Sequence, residues 1–248
     1  MAQKIKSTGI AISKSAQKEL AALFRMRDWS IQKTRIAYGN RKKAIDQGRM
    51  PAGFVDHYIQ EGLDLAQSQE DRIDERIREL CIDSPLIDAA VGVKGVSHIL
   101  CARIVQFVDI DIADTSSKIW SYFGYLVNED GNAVRLQRGT KASFNPYARS
   151  SAFRVGASIL KTASRKGSPY IDVYYDARRH YEGEYPDWNK QHVHLASMRK
   201  MIKLWLAHLY EVWRTIEDMP VRLPYIIENP NGAPHQRLYP ADFGWELK

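Results

Sequence analysis

Apolar residues recur at helical intervals through most of the chain, and only one short stretch reads as β-structure, so the pattern predicts a mainly α-helical protein. A first long helix is expected over residues 13–45, with Leu20, Leu23, Phe24, Ile31 and Ile36 as its apolar positions, although the spacing falters between Trp29 and Ala37. Gly48 and Pro51 break it. A second helix runs from Pro51, which a first helical turn tolerates, to Leu80, and it places Ile73, Ile77 and Leu80 at four-three spacing among Glu, Asp and Arg. Two long charged helices joined by a short turn fit an antiparallel hairpin or coiled coil; they equally fit two helices lying on a main core.

The next elements are shorter. In residues 93–105, VKGVSHILCARIV, a glycine, a small apolar residue and a serine lead into helix-compatible residues, the pattern of two helices meeting at a tight turn. Residues 115–124 suggest a short helix carrying Ile119, Trp120, Tyr122 and Phe123, and Asp130-Gly131 between β-compatible flanks predicts a small β-hairpin over residues 124–136. Pro146 opens a helix through Lys161 with Phe153, Val155, Ile159 and Leu160 available for packing; a Gly and Ser loop then precedes a Tyr-rich segment at 170–181. The last long helix has Asp187 placed as its cap, and Leu195, Met198, Ile202, Trp205, Leu209 and Val212 form a heptad-like seam. That seam suits packing on the chain's own core or pairing with a second copy. Past Glu217, five prolines make an extended tail. The expected division is a basic N-terminal helical hairpin or coiled coil (1–83), a helix-hairpin-helix domain (84–217) and a Pro-rich tail (218–248).

Charge sharpens this picture. The 248 residues carry a net charge of +7, which points toward a polyanion. Residues 1–43 hold eleven Lys and Arg against Glu19 and Asp28, so the basic character is localised. Between Asp130 and Asp172 no acid occurs, while Arg135, Arg138, Lys141, Arg149, Arg154, Lys161, Arg165 and Lys166 do. A solvated helical face normally mixes signs. Two cysteines without metal spacing read as buried hydrophobes, and nothing resembles a signal peptide or a membrane span, so a cytoplasmic, nucleoid-associated protein without a membrane partner is expected.

Candidate chemistry follows from these positions. At the Gly95 turn, the N–H groups of Val96, Ser97 and His98 are candidates to face a phosphate, with Lys94 and Arg103 adding charge; the alternative is an ordinary helix-helix turn. Arg135, Arg138, Lys141, Arg149 and Arg154 are candidate phosphate clamps, or else a solvated basic face. Catalytic groups are sparse. His192 and His194 lack metal spacing, and Asp109, Asp111 and Asp114 suit capping of the next helix better than Mg²⁺. Ser150 and Ser151 are weak nucleophile candidates because no activating base is visible.

The order of four stretches resembles a known family: VKGVSHILCARIVQFVDI, KIWSYFGYLV, Arg138-Gly139 and FNPYARSSAFRVGASIL are similar to the C-terminal transposase domain of insertion-sequence transposases guided by a bridge RNA. The likeness covers residues 84–161, is weaker over HVHLASMRKMIKLWLAHLYEVW at 192–213, and IQKTRIAYGNR at 31–41 looks like stand-alone relatives found near mobile elements. It implies a helix-hairpin-helix core, DNA as partner, and a role in recombination or transposition. The family's full-length enzymes pair a RuvC-like domain bearing four acids with a catalytic serine; here basic helices come first, and the serine position falls in Val127-Asn128-Glu129-Asp130-Gly131-Asn132, which has none. The expectation is therefore a largely sequence-independent DNA-binding protein that needs no cofactor. RNA remains an alternative ligand, and a Mg²⁺-using strand transferase or an oligomeric scaffold built on the N-terminal hairpin or the 195–212 seam are alternative functions.

Overall fold

The computed structural model describes residues 10–51, 53–128, 132–224 and 237–246. Among them the chain is mainly helical and holds no strand. It divides into two compact units, Ser13–Asp83 and a second comprising Met1–Ile12 with Ser84–Lys248.

The first unit is a helical arm. Helix α1 (Lys14–Met26) is capped by Ser13, whose side chain accepts the Ala16 N–H, and it passes through a π-turn at Arg27–Ile31 into α2 (Gln32–Asp46). The Gln32 N–H reaches back to the Arg27 carbonyl, so one extra residue enters the turn. That insertion is why the apolar spacing falters after Trp29. Helix α3 (Phe54–Glu79) returns alongside, burying Ile59, Ala66, Ile73 and Ile77 together with Leu20 and Phe24 of α1. Ile36, an expected apolar position of α2, is instead 49% exposed. The apolar core here is thin, and ion pairs accompany it. Glu70, only 4% exposed, accepts Arg27 Nη2 at 2.7 Å and Arg35 Nε at 2.5 Å, while Arg27 also binds Asp74.

The second unit is built around α9. Ser84 caps α4 (Pro85–Val91), and its hydroxyl also donates to the Ala11 carbonyl at 2.6 Å, which ties residues 10–12 to this unit rather than to the N-terminal hairpin expected of them. A turn at Gly95 leads to α5 (His98–Val105); α6 (Ser116–Tyr122), α7 (Pro146–Lys166) and α8 (Pro169–Glu184) follow. Helix α9 (Lys190–Ile216) touches α4, α6, α7 and α8. Its cap is Asn189, which accepts the His192 N–H, so Asp187 is not the cap. Five of the six seam positions are buried in the unit's own core, Trp205 and Leu209 among them; only Leu195 is exposed.

One further expectation is corrected. The small β-hairpin does not form among the described residues: its flanks make one isolated antiparallel bridge, Val127 to Ala133, and the Asp130-Gly131 turn lies outside them. Val127 and Leu136 are more than half exposed, so no buried face favours a ladder, and the Val134 carbonyl accepts Arg149 instead. The end of the Pro-rich tail packs onto the helices of this unit. Phe243 and Trp245 are buried, with the Trp245 indole N–H donating to the Tyr170 hydroxyl at 2.8 Å. Tyr170 in turn contacts His208 Nδ1 at 2.6 Å, and His208 Nε2 lies 3.1 Å from the Leu238 carbonyl. A neutral His208 with its proton on Nε2 satisfies every member of this chain of bonds.

Candidate nucleic-acid interface

The Gly95 turn joins α4 to α5, and its glycine is demanded by packing. Gly95 has a φ of +95°, and a Cβ there would lie 2.7 Å from the Ile159 Cα and 3.0 Å from the Ser158 carbonyl oxygen of α7. The close approach that glycine permits is thus made by α7, not left open for an oxygen of a ligand. Val96 is buried and its N–H donates to the Val93 carbonyl, which removes it from the phosphate-facing set. Ser97 and His98 stay exposed, and the Ser97 hydroxyl accepts the Leu100 N–H. The His98 and Ile99 N–H groups lie in the first turn of α5, where no earlier helical carbonyl reaches them. Lys94 is exposed, but Arg103 is only 4% exposed and cannot reach a phosphate at the surface.

The acid-free segment behaves differently along its length. Arg135, Arg138 and Lys141 are exposed in the loop before α7 and make no ion pair among the described residues. Asn145 caps α7 by accepting the Tyr147 and Ala148 N–H groups. One turn on, Arg149 is half-buried, donates to the Val134 carbonyl at 2.8 Å, and lies 5.0 Å from the centre of the Phe144 ring. Arg154 and Lys161 are exposed further along α7. From Arg149 to Ser158, where the Gly95 turn packs, is about 14 Å of helix at the standard rise. The two expected binding features therefore lie along one helix, separated by more than two turns.

Three residues that sequence reasoning passed over join Arg149. Arg199 on α9 donates to the Tyr125 carbonyl at 2.7 Å, and Lys203, one turn later, lies 4.2 Å from the centre of the Trp120 ring. Burial, and after it the Arg149 charge, holds the Arg199 guanidinium below its ordinary pKa. Burial, and after it Arg199, does the same to Lys203. Tyr181 also faces Arg199, and burial holds its hydroxyl above the usual range. The signal was present as an i, i+4 pair of cations on the last helix, but the apolar seam beside it drew the reading toward packing.

Nucleophile and metal candidates find no support. Ser151 is buried, and the Ser150 hydroxyl donates to the Tyr147 carbonyl with no base beside it. Asp114 pairs with Lys118 at 3.0 Å, Thr115 rather than Asp114 caps α6, and no His, Cys, Asp and Glu cluster suited to a metal occurs among the described residues. His194 bonds the Tyr174 hydroxyl. Cys81 and Cys101 are buried free thiols, and burial pushes Cys81 up to about 11. Among the described residues no helix is long and apolar enough to cross a membrane. Comparison with protein families, with curated proteins and with solved structures finds no match.

Proposed function

We propose that this protein binds nucleic acid through its phosphates, with DNA as the ligand and little dependence on sequence. The observation that carries the reading is the exposed trio Arg135, Arg138 and Lys141, which has no carboxylate partner among the described residues and stands in a stretch without a single acid. Arg149 and Arg154 extend that surface onto α7, and the first turn of α5 at Ser97 and His98, beside Lys94, adds backbone donors further along. The α4–turn–α5 arrangement agrees with a helix-hairpin-helix, and likeness to bridge-RNA-guided transposases supports DNA and a mobile-element setting. Val96 and Arg103 are left out because both are buried. No observation favours strand cleavage: the Ser150 hydroxyl donates to the Tyr147 carbonyl and Ser151 is buried.

Fluorescence anisotropy with labelled duplex DNA at low salt tests this directly. Expected is binding whose affinity falls steeply with salt, and Arg135→Glu with Arg138→Glu should weaken it by about tenfold or more and flatten the salt slope by about two. Binding indifferent to both substitutions would sink the proposal.

A further inference from the structure

Two features of the second unit adjoin. The first is the cluster of Arg149, Arg199 and Lys203. Arg199 and Lys203 sit at i and i+4 on α9, where like charges repel, and Arg149 joins them from α7. Their recorded contacts are neutral: the Val134 and Tyr125 carbonyls and the faces of Phe144 and Trp120. Half-buried cations brought together cost free energy unless an anion answers them, and among the described residues the charges acting on Arg199 come from Arg149 and two tyrosines, not from a carboxylate.

The second feature is a column of rings where α8 turns into α9. Trp188 lies parallel to Tyr185, with centroids 4.3 Å apart, and parallel to His192 at 4.0 Å. At those distances two rings cannot share one face of the indole, so Trp188 is sandwiched and the outer faces of Tyr185 and His192 end the column. Tyr185 is 46% exposed and His192 is exposed. Tyr181 links the two features: it lies within electrostatic reach of Arg199 and 5.6 Å from the Trp188 ring. A solvent-facing ring column thus stands beside cations that no carboxylate among the described residues answers. Unpaired nucleobases stack on such ring faces, and phosphates sit on such cations.

We infer that Arg149, Arg199 and Lys203 form a phosphate site for single-stranded nucleic acid, whose neighbouring base stacks on the exposed face of Tyr185. The acids Glu184 and Asp187 flank the column in sequence, so a neutral base rather than a phosphate belongs there, and the charged group goes to the cations. The inference rests on the nucleic-acid reading above and deepens it, because a duplex keeps its bases within the stack and cannot use the column.

The test is anisotropy with a labelled oligothymidylate of about 20 nucleotides and with a duplex of equal length, on wild type, Tyr185→Ala, Tyr185→Phe, Lys203→Gln and Arg135→Glu. Tyr185→Ala should weaken the single strand about tenfold and leave the duplex within about twofold, while Tyr185→Phe restores wild-type binding. Lys203→Gln should lower the single-strand salt slope by about 0.7, a change that lost packing alone does not produce. Circular dichroism melts identify any variant that has lost its fold, and because Tyr185 is exposed, that variant keeps the test decisive if Lys203→Gln unfolds. Duplex binding that responds to Arg135→Glu, without single-strand binding or with equal losses on both ligands in Tyr185→Ala, overturns the inference and leaves the broader reading standing. Absence of binding to either ligand overturns both.

Discussion

The helical arm and the α7–α9 face are both rich in cations, yet they handle them in opposite ways. Residues 13–83 contain thirteen Lys and Arg against twelve Asp and Glu, so the strongly basic start of the chain is answered within the arm by α3 and nets only +1. Arg27, Arg35, Lys42, Arg76 and Arg78 all have carboxylate partners there. In the other region Arg149 and Arg199 are held by carbonyls and Lys203 by a ring. A count of charges along a sequence is therefore a poor guide to accessible charge. What distinguishes a binding surface is the lack of a partner, and that depends on which helix comes back alongside.

The comparison is most exposed to a change at Glu70. Its carboxylate is almost fully buried between Arg27 and Arg35, so Glu70→Gln should destabilise the arm by about 3 kcal/mol, because two guanidinium groups lose their shared counter-charge. The exposed Arg76–Glu79 pair should cost far less when broken, because solvent screens it. Urea unfolding followed by circular dichroism checks both. Arg135→Gln, by contrast, should leave stability within about 0.5 kcal/mol, since no ion pair is lost there. Equal costs at Glu70 and Arg135 would erase the difference between the regions.

A second expected effect separates the units by pH. His208 is buried and neutral between Tyr170 and the Leu238 carbonyl, and burial lowers its pKa to about 4. The unfolded chain binds the proton at its ordinary pKa of about 6.5. The folded-state value is the lower one, so this contribution is fully present above about 6.5 and is lost as pH falls toward about 4, amounting to roughly 3 kcal/mol. Between those pH values the second unit should lose stability, and tryptophan fluorescence should report loosening of Trp245. His208→Gln should remove most of that pH dependence. A stability profile that stays flat from pH 7 to about 4.5 would show that the imidazole is not the titrating group.

The fold was legible where one face of a helix carries the pattern and illegible where the partner lies far away in sequence. Met198 to Val212 revealed α9 and its buried side because a helix core repeats every three or four residues. The falter after Trp29 was visible too, but only the structure identifies it as one extra residue in a π-turn. Asp187 lost the capping role to Asn189 two residues later, a boundary that propensity alone does not separate. The hairpin at 124–136 failed because turn residues suggest a turn and say nothing of whether the flanks find a buried face. At the candidate site, Arg135, Arg138 and Lys141 were readable as missing acids, whereas Arg199, Lys203 and the ring column needed the approach of α7, α8 and α9. Arg103 was misjudged since an exposed and a buried arginine look alike in a string of letters.

A further expected effect concerns Gly95, where scaffold and ligand contact predict different things. Gly95→Ala introduces a Cβ 2.7 Å from the Ile159 Cα and keeps a φ that alanine disfavours, so α5 must move away from α7. A loss of about 2 kcal/mol in stability is expected, since the clash is with backbone and no side chain can swing aside. The substitution leaves the exposed Arg135, Arg138 and Lys141 untouched and keeps the first-turn N–H groups of α5. Duplex affinity, measured well below the melting temperature, should therefore fall by no more than about threefold, a small share of what removing two phosphate contacts costs. If Gly95→Ala instead weakens binding tenfold at unchanged stability, the turn itself contacts the phosphate, and the contrast between regions would have to be redrawn around backbone donors rather than around unpaired cations.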